Sequence, residues 1–290
     1  MTRIAGGDFR MGSERFYPEE GPVHRVSVAP FELDTGPVTN ARFGEFVGAT
    51  GYVTTAERSL TAEQFPQLSA EERTPGSMVF TMTGGPVDLR DWRRWWRWVP
   101  GADWRHPSGP ASSIDDRQDH PVVQVSFDDA EQYAAWAGKR LPTEAVWELA
   151  ARGGLDQAVF VWGDEDDPHS RLANHWRGRF PYESTGWGGT SPVGSYPPNA
   201  FGLHDMAGNV WEWTSSFFAP RHLPQGRGGP AAGARPVLFT GPQLSGSVRR
   251  VLKGGSHLCS PEYCLRYRPA ARSPQSEDTS MTHIGFRCAR

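Results

Sequence analysis

Two cysteines five residues apart are the strongest chemical signal in the sequence. Cys259 and Cys264 follow a Gly-Gly-Ser turn at 254–256. Such a pair could form a disulfide, supply half of a zinc site with His257 and His283, or remain as two buried apolar thiols. Soft thiolates also select Cu(I), and two of them leave room for a third sulfur ligand from a substrate. The spacing alone does not choose among these chemistries.

Arginines flank the same stretch and bear on the acidity of its thiols. Arg266, Arg268 and Arg272 would lower the thiol pKa values if their guanidinium groups pointed inward. They could equally pair with Glu262 or Asp278. Both arrangements are open on sequence grounds.

A second cluster of candidate ligands lies in the segment GLHDMAGNVWEWT, which holds Asp205, Gly208, Asn209 and Glu212. Oxygen donors at this density suggest a hard cation such as Ca²⁺, which takes about six to eight oxygen ligands. Gly208 permits a turn that aims successive carbonyl groups at one point. An ordinary Asn-containing turn before a strand explains the same residues equally well.

Aromatic and basic residues are interleaved in DWRRWWRWVPGADWRHP, at 91–107. This stretch could be a stacking platform for single-stranded nucleic acid or a membrane-surface segment. The formal charge of −3 argues against both, because no overall field attracts phosphate or anionic lipid. Trp92, Trp96 and Trp98 alternate, which predicts a strand whose aromatic side chains pack inward. Trp104, after a glycine turn, could instead line a groove.

Short elements must position these groups. Caps and apolar spacing predict three helices, at 39–50 after the Thr39 cap, at 126–137 after the Ser126 cap, and from Thr143 to the Gly153–Gly154 pair. Partial alternation predicts an edge strand at 23–33. Composition predicts a surface excursion at 57–75, a mobile loop at 219–247, and short strands with long Gly/Pro-rich connections over 155–290.

Composition limits the class of protein. Gly 33 and Pro 25 make up one residue in five, against roughly 12% in average usage, which excludes a helical bundle. The aromatic content of 12% is too high for a disordered chain. No apolar run approaches the roughly 18 residues of a membrane span, and the first residues lack a secretory signal. We expect one cytoplasmic domain over 1–290, a mixed α+β fold with little regular secondary structure.

Several motifs together resemble those of the formylglycine-generating enzymes, the sulfatase-modifying factor family, in its bacterial type. The chain contains GGSxxCxxxYCxRYRxAAR at 254–272, HIGFRC near its end, GNVWEW at 208–213, WAGKRLPTE at 136–144 and DWRHP at 103–107. These segments are spread over nearly the whole chain. The resemblance implies a C-type-lectin-like fold of the formylglycine-generating enzyme kind.

The resemblance implies an oxidase that uses O2 to convert a sulfatase cysteine, within Cys-x-Pro-x-Arg, to Cα-formylglycine. Cys259 and Cys264 match the thiols that hold Cu(I), Ser256 matches a serine that helps to position oxygen, and Tyr263 matches the tyrosine beside the second thiol. The substrate thiolate is expected to join Cu(I) as a third sulfur ligand, before O2 binds and a Cβ hydrogen is removed. The expected partner is an unfolded or nascent sulfatase, bound by a monomer that needs no nucleic acid or membrane.

Structural Ca²⁺ is the second ion that the resemblance implies. One site matches the side chains or carbonyl groups of Asp205, Gly208, Val210 and Glu212. A further calcium site would begin at Asn174 and His175. The loop that follows this pair is shorter than in the family and lacks its acidic ligand.

Peptide recognition is expected beside the thiols. Trp104 is expected to line a groove for the motif proline, and Asp103 is a candidate partner for the motif arginine. His283 occupies a groove position where animal relatives have Asn. The disulfides of secreted relatives have no counterpart here, which leaves Cys288 unpaired and agrees with a reducing compartment.

Two other functions share parts of these features. Non-haem iron sulfoxide synthases have this fold in their C-terminal half, but they need a His-rich iron triad. No HxxxHxE string occurs among the nine histidines. A catalytically inactive lectin-like binding module would be favoured only if the thiol pair had been lost.

Overall fold

The computed structural model describes residues 1–63, 66, 69, 73–165, 171–222 and 248–290. The helices are α1 (Asn40–Thr50), α2 (Phe127–Trp136) and α3 (Glu144–Arg152). The strands are β1 (Thr2–Ile4), β2 (Gly7–Met11), β3 (His24–Val28), β4 (Phe31–Leu33), β5 (Gly76–Phe80), β6 (Trp96–Pro100), β7 (Trp211–Phe217), β8 (Arg249–Lys253), β9 (Arg272–Ser276) and β10 (Ile284–Gly285). Mixed α+β structure with long irregular connections confirms the expected fold class.

Two loop predictions fall partly outside these residues. The segment 223–247 of the loop predicted at 219–247, and part of the excursion predicted at 57–75, are not among the residues described. No helix in the described part of the chain is both long and apolar enough to cross a membrane.

The three predicted helices are confirmed, and side-chain caps begin each of them. Oxygen atoms of Thr39, Ser126 and Thr143 accept hydrogen bonds from backbone N–H groups three residues later, at 3.3, 3.2 and 3.2 Å. A residue in the left-handed conformation follows α1 and α3, at Gly51 (φ 67°) and Gly153 (φ 56°). These signals are local in sequence, which is why the helix limits were predictable.

A four-stranded sheet in the order β10-β7-β8-β9 supports the region of the thiols. Strand β10 is parallel to β7, whereas the β7–β8 and β8–β9 pairs are antiparallel. The smaller sheets pair β1 with β4, β2 with β3, and β5 with β6. The single edge strand predicted at 23–33 is therefore two strands, interrupted before Pro30, that pair with different partners.

Aromatic packing joins α1 and α2 to this sheet. The ring of Phe43 stacks on Tyr133 at 5.9 Å, and Tyr133 meets Phe286 edge-on at 5.3 Å. Trp213, on β7, is fully buried in the same core, and its indole N–H donates to the Val125 carbonyl at 3.0 Å. The core thus reaches from the N-terminal helices to the strands that precede the thiol pair.

Buried charges fasten α3 to strand β8 and to the N-terminal segment. The Glu148 carboxylate accepts from Lys253 Nζ at 3.0 Å, from Arg152 Nη2 at 2.8 Å, and from the backbone N–H of Gly12 at 2.8 Å. One turn earlier, Glu144 accepts from Arg272 Nη2 at 2.9 Å. Buried groups of this kind are strongly destabilising when one partner is removed.

We predict that Glu148→Gln lowers the free energy of unfolding by about 3 kcal/mol or more, because Lys253 and Arg152 then lose their shared counter-charge. Burial alone would raise the pKa of Glu148, but the two cations outweigh it and lower the pKa. The stabilisation is complete above the unfolded value of about 4.3 and is lost as pH falls through the lower folded pKa. Urea unfolding at neutral and acidic pH measures both effects.

Glu45→Gln is the matched control, since Glu45 is an exposed residue of α1. Its substitution should change the unfolding free energy by no more than about 0.5 kcal/mol. Equal losses in the two variants would contradict the structural role assigned to Glu148.

Candidate active site

A tight turn after strand β8 brings the thiol segment back against the rest of the C-terminal chain. Gly254 and Gly255 have φ of 92° and 70°. A Cβ atom on Gly255 would lie 2.8 Å from the Arg266 carbonyl oxygen. Only glycine suits both the conformation and the close approach, so this turn fixes Ser256 beside the segment that follows the thiols.

Two further turns set the distance between the thiols. The Cys259 N–H donates to the Ser256 carbonyl at 2.9 Å, and the Cys264 N–H donates to the Ser260 carbonyl at 2.7 Å. The two Sγ atoms are 3.1 Å apart. All three cysteines are free, and this separation is a hydrogen-bond contact rather than the roughly 2.05 Å of a disulfide.

The two thiols differ in environment and hence in acidity. Burial raises the pKa of Cys259 well above its ordinary value. The pKa of Cys264 is lowered, first by a hydrogen bond from the Cys259 thiol and further by the charge of Arg266, against the effect of its own burial. Cys264, which is half-buried, is therefore the first of the pair to become a thiolate, with the Cys259 S–H as its donor.

Acids from the N-terminal segment, not Glu262 or Asp278, pair with Arg266 and Arg268. Arg266 Nη2 lies 2.7 Å from Glu19 Oε1, and Arg268 Nη1 donates to Glu20 Oε2 at 2.8 Å. Aromatic rings extend the contact, with Phe16 3.8 Å from the Arg268 guanidinium and Tyr17 4.0 Å from that of Arg266. Arg272 pairs with Glu144 as described above. The charge of Arg266 lowers the pKa values of both thiols.

An aromatic wall stands beside the thiols. The Tyr263 ring stacks on Phe180 at 4.8 Å and meets the edge of Trp95 at 5.5 Å. Tyr263 is 39% exposed, whereas Trp95 is 1% exposed. Burial, followed by the charges of Cys264 and Cys259, raises the pKa of Tyr263, so its hydroxyl remains protonated at neutral pH. Sequence reasoning assigned Tyr263 to the site but missed Phe180 and Trp95.

Ser256 and two histidines complete the surroundings. Ser256 is fully buried, and its Oγ accepts from the Leu258 N–H at 3.2 Å. Burial lowers the pKa of His257 to about 4 and that of His283 to about 3, so both rings are neutral at pH 7. The His257 Nδ1 contacts the Asn209 carbonyl at 2.8 Å.

A zinc site built from the thiols and these histidines is not formed. Within the described residues, no group of three or more His, Cys, Asp or Glu side chains is arranged to hold a metal ion. The same finding gives no support to a His-rich iron triad. Two neighbouring thiols, one of them with a lowered pKa, are the donor set that a soft ion such as Cu(I) prefers. The residues present therefore fit copper.

Trp104 does not line an accessible groove, which corrects the sequence expectation. It is 3% exposed, and its ring lies 5.2 Å from Phe43 in the core. The neighbouring Asp103 is half-buried, and its Oδ1 accepts from the N–H groups of Arg105 at 2.7 Å and His106 at 2.9 Å. Asp103 thus shapes a turn, and its contact with a substrate arginine stays a prediction.

The alternating tryptophans also differ from the expectation. Trp92 lies in a short 3₁₀ turn and is 52% exposed, and Trp98 is 40% exposed. The buried indole is that of Trp95, just before β6. Trp96 is half-buried and lies 4.7 Å from the His283 ring. Strand periodicity alone could not tell which face of this two-stranded sheet meets the core.

Glu212 has a different partner from the one expected for a calcium ligand. Arg287 donates to both of its oxygen atoms at 2.7 Å, and the Trp147 indole N–H donates to one of them at 2.7 Å. As placed, Glu212 does not fit Ca²⁺.

The other three expected calcium donors are oxygen groups of the kind that the ion takes. Asp205 is nearly buried, which raises its pKa. Among the described residues no hydrogen bond reaches the carbonyl oxygens of Gly208 or Val210. The Asp205 carboxylate accepts from the Gly194 N–H at 2.8 Å and from the Asn209 amide at 3.4 Å, and calcium binding by these donors stays a prediction.

Asn174 and His175, expected to begin a second calcium site, are engaged in packing. The Asn174 amide donates to the Gly189 carbonyl at 3.0 Å and to Ser191 Oγ at 3.2 Å. The His175 ring stacks on Tyr267 at 4.4 Å. In this structure both side chains make packing contacts, and their part in a second calcium site stays a prediction.

We predict that Cys264 reacts with iodoacetamide well before the other cysteines. Its pKa is lowered and its side chain is half-buried, whereas Cys259 and Cys288 are almost fully buried and burial raises their pKa values. Mass spectrometry of the native protein at about pH 8 should find the first adduct on Cys264. A first adduct on Cys259 would reverse the assignment, and Cys264→Ser should abolish the fast phase.

Known proteins share this whole domain. A family model described as a sulfatase-modifying factor enzyme 1-like domain matches residues 1–290. The formylglycine-generating enzyme of Mycobacterium tuberculosis (strain ATCC 25618 / H37Rv) is 58% identical over 292 residues, 99% of this chain and 96% of that protein. The mouse protein named inactive C-alpha-formylglycine-generating enzyme 2 is 37% identical over 304 residues, 100% of this chain and 85% of its own length.

Solved structures support the same fold. PvdO from Pseudomonas aeruginosa matches with a TM-score of 0.62 at 26% identity, over 99% of this chain and 92% of that one. The motif resemblance and the fold class are confirmed by these matches. The chain belongs to the sulfatase-modifying factor family and is an enzyme of its formylglycine-generating branch.

Proposed function

We propose that this enzyme uses Cu(I), held by Cys259 and Cys264, to oxidise a cysteine within a Cys-x-Pro-x-Arg motif of a sulfatase to Cα-formylglycine. The observation that supports this most is the free thiol pair at 3.1 Å. The 58% identical relative is named for formylglycine generation. Since the family also includes a relative named inactive, the thiol pair carries the proposal and family membership alone does not.

Copper supplies the one-electron and O2 chemistry that protein side chains lack. The protein's own residues contribute first by setting the protonation states of the two thiols. Cys264 gives up its proton first, and Arg266 stabilises the resulting thiolate. Cys259, whose pKa burial raises, would hold its proton in the free enzyme and would serve as a ligand of the soft ion as a thiolate. The pair therefore offers one ready thiolate and one that forms on metal binding.

The overall reaction requires a reductant. Converting the thiol-bearing methylene group of the substrate to an aldehyde, with release of hydrogen sulfide, removes two electrons from the substrate. Reducing O2 completely to water takes four electrons. Both oxygen atoms of O2 end in water, and the aldehyde oxygen comes from the water that hydrolyses the thioaldehyde, so two electrons and two protons must come from a thiol reductant. The assay below therefore includes one.

Neutral and apolar groups around the thiols support chemistry away from bulk water. Tyr263, Phe180 and Trp95 form an aromatic wall on one side. The lowered pKa values keep His257 and His283 uncharged at pH 7, so neither competes with the metal for the thiolate. Ser256 Oγ, buried beside Cys259, is the hydroxyl that we assign to positioning O2.

We further propose that an unfolded or nascent sulfatase is the substrate, that a monomer acts on it in the cytoplasm, and that Ca²⁺ bound near Asp205 is structural. The raised pKa of the buried Asp205 supports a bound cation, because a positive charge there would offset the cost of burying the carboxylate. The iron-dependent sulfoxide synthase and an inactive binding module have no such support from the described residues.

The enzyme loaded with Cu(I), supplied with air and a thiol reductant, is expected to convert a Cys-x-Pro-x-Arg peptide to its formylglycine form, seen as loss of sulfur by mass spectrometry. Cys259→Ala and Cys264→Ala should each abolish turnover, because one thiolate cannot hold the ion. More than a few per cent of wild-type activity in either variant would refute shared ligation.

Cys288→Ser is the control for these variants, because the charged groups nearest to this buried thiol are Asp34 and Lys139 rather than the thiol pair, and the substitution should leave kcat close to wild type. Peptides with Ala in place of the motif Pro or Arg should have a lower kcat/KM. Equal kcat/KM for all three peptides would leave a general thiol oxidase without motif recognition.

Calcium is expected to raise the melting temperature, and a chelator to lower it. Asp205→Ala should lower the melting temperature and remove most of the response to chelator, with a small effect on kcat when copper is supplied. Thermal melts of both proteins with and without chelator measure this. A wild-type melt that ignores calcium and chelator would remove this ion from the proposal.

A further inference from the structure

The outer edge of strand β6 pairs with no other strand among the described residues. In the register of β5 and β6, Val79 lies opposite Arg97, and the Thr81 N–H donates to the Trp95 carbonyl at 2.8 Å. Because hydrogen-bonded pairs alternate in an antiparallel ladder, the N–H and C=O groups of Trp96 and Trp98 point away from β5. No hydrogen bond to these four groups joins described residues.

The other edge of the same small sheet is already occupied. Met78, on β5, forms a parallel bridge with Met281, and the Thr282 N–H donates to the Met78 carbonyl at 3.3 Å. In the part of the chain that the structure describes, the unpaired edge of this sheet is therefore on the β6 side. Exposed edges of this kind are templates for an additional extended chain.

The side chains along this edge offer both an apolar and a charged group for binding a polypeptide. Trp98 is exposed on one face of β6, and Arg97 is exposed on the other. The preceding Arg93 and Arg94 are paired with Asp91, at 2.7 and 3.6 Å. Arg97 has no acidic partner within the described part of the chain, so its charge is available to a ligand.

The edge is continuous with the thiol site. Trp96 lies 4.7 Å from His283, and Trp95, just before the strand, lies 5.5 Å from Tyr263. Tyr263 directly precedes Cys264 in the chain. Since an extended chain advances about 3.3 Å per residue, a peptide whose cysteine reaches the thiols needs only a few further residues to reach β6.

We propose that β6 binds the substrate polypeptide beside the motif as an added strand, with Trp96 and Trp98 packing on its apolar residues and Arg97 pairing with an acidic residue between them. This inference rests on the proposed function and extends it to a sequence preference outside the motif. Side chains alternate between faces along a strand. The favoured flank therefore reads apolar–acidic–apolar.

The test uses a short motif peptide and longer peptides that carry Val-Glu-Val, Val-Lys-Val or Pro-Glu-Pro, each placed on either side of the motif. On one of the two sides of the motif, the Val-Glu-Val extension should lower KM about tenfold relative to the short peptide, with kcat unchanged. The Lys version should lose most of this gain through charge, and the Pro version should lose it because proline lacks the N–H that pairs with the edge.

Arg97→Glu should reverse the preference, so that the Val-Lys-Val peptide has the lower KM while the short peptide is turned over as before. Arg93→Glu makes the same change of net charge outside the strand and is the matched control, expected to keep the wild-type preference. Trp98→Ser should raise KM for the Val-Glu-Val peptide only.

Extensions that change KM less than twofold on both sides, with the short peptide still converted, would overturn this inference and leave the proposed function intact. If no peptide is converted, anisotropy of labelled peptides with Ser in place of the motif Cys measures the same preferences directly. Displacement of the bound peptide by an oligothymidine probe at similar concentration would assign the edge to nucleic acid and also overturn the inference.

Discussion

Buried pairs between guanidinium and carboxylate groups are the constraint on which the rest of this structure depends. The helices and strands are short, so side-chain interactions rather than backbone hydrogen bonds must hold the long connections in place. Glu20 with Arg268, Glu144 with Arg272, and Glu212 with Arg287 each join segments far apart in sequence. Removing one partner leaves an uncompensated buried charge, so each pair restricts its two segments to one mutual position.

These ion pairs also determine the geometry of the thiol pair, because they hold the segments on either side of it. The segment that follows Cys264 is held at Arg266 and Arg268, and the strand that precedes Ser256 is held at Lys253. Between these fixed points the backbone turns bring the two sulfur atoms together. A rigid frame of this kind presents two soft donors side by side without needing either a disulfide or a third ligand from the chain to set their separation.

Local features were predictable from the sequence and distant ones were not. The caps at Thr39, Ser126 and Thr143 act within one turn, and the thiol spacing is encoded in six residues. The partners of Arg266 and Arg268 lie about 248 residues away in the chain, and no pattern near the arginines identifies them. The burial of Trp104 likewise depends on Phe43, on a distant helix, and was predicted wrongly as a groove residue.

The pairing of Glu19 and Glu20 with arginines near the opposite end of the chain has a consequence for biosynthesis. As the ribosome adds residues in order, the acids emerge well before the arginines that pair with them. Contacts between such distant segments form late and slowly. The segment that carries the two thiols therefore stays unanchored until Arg266 and Arg268 have been made, and the paired thiol geometry is expected to form only after that point.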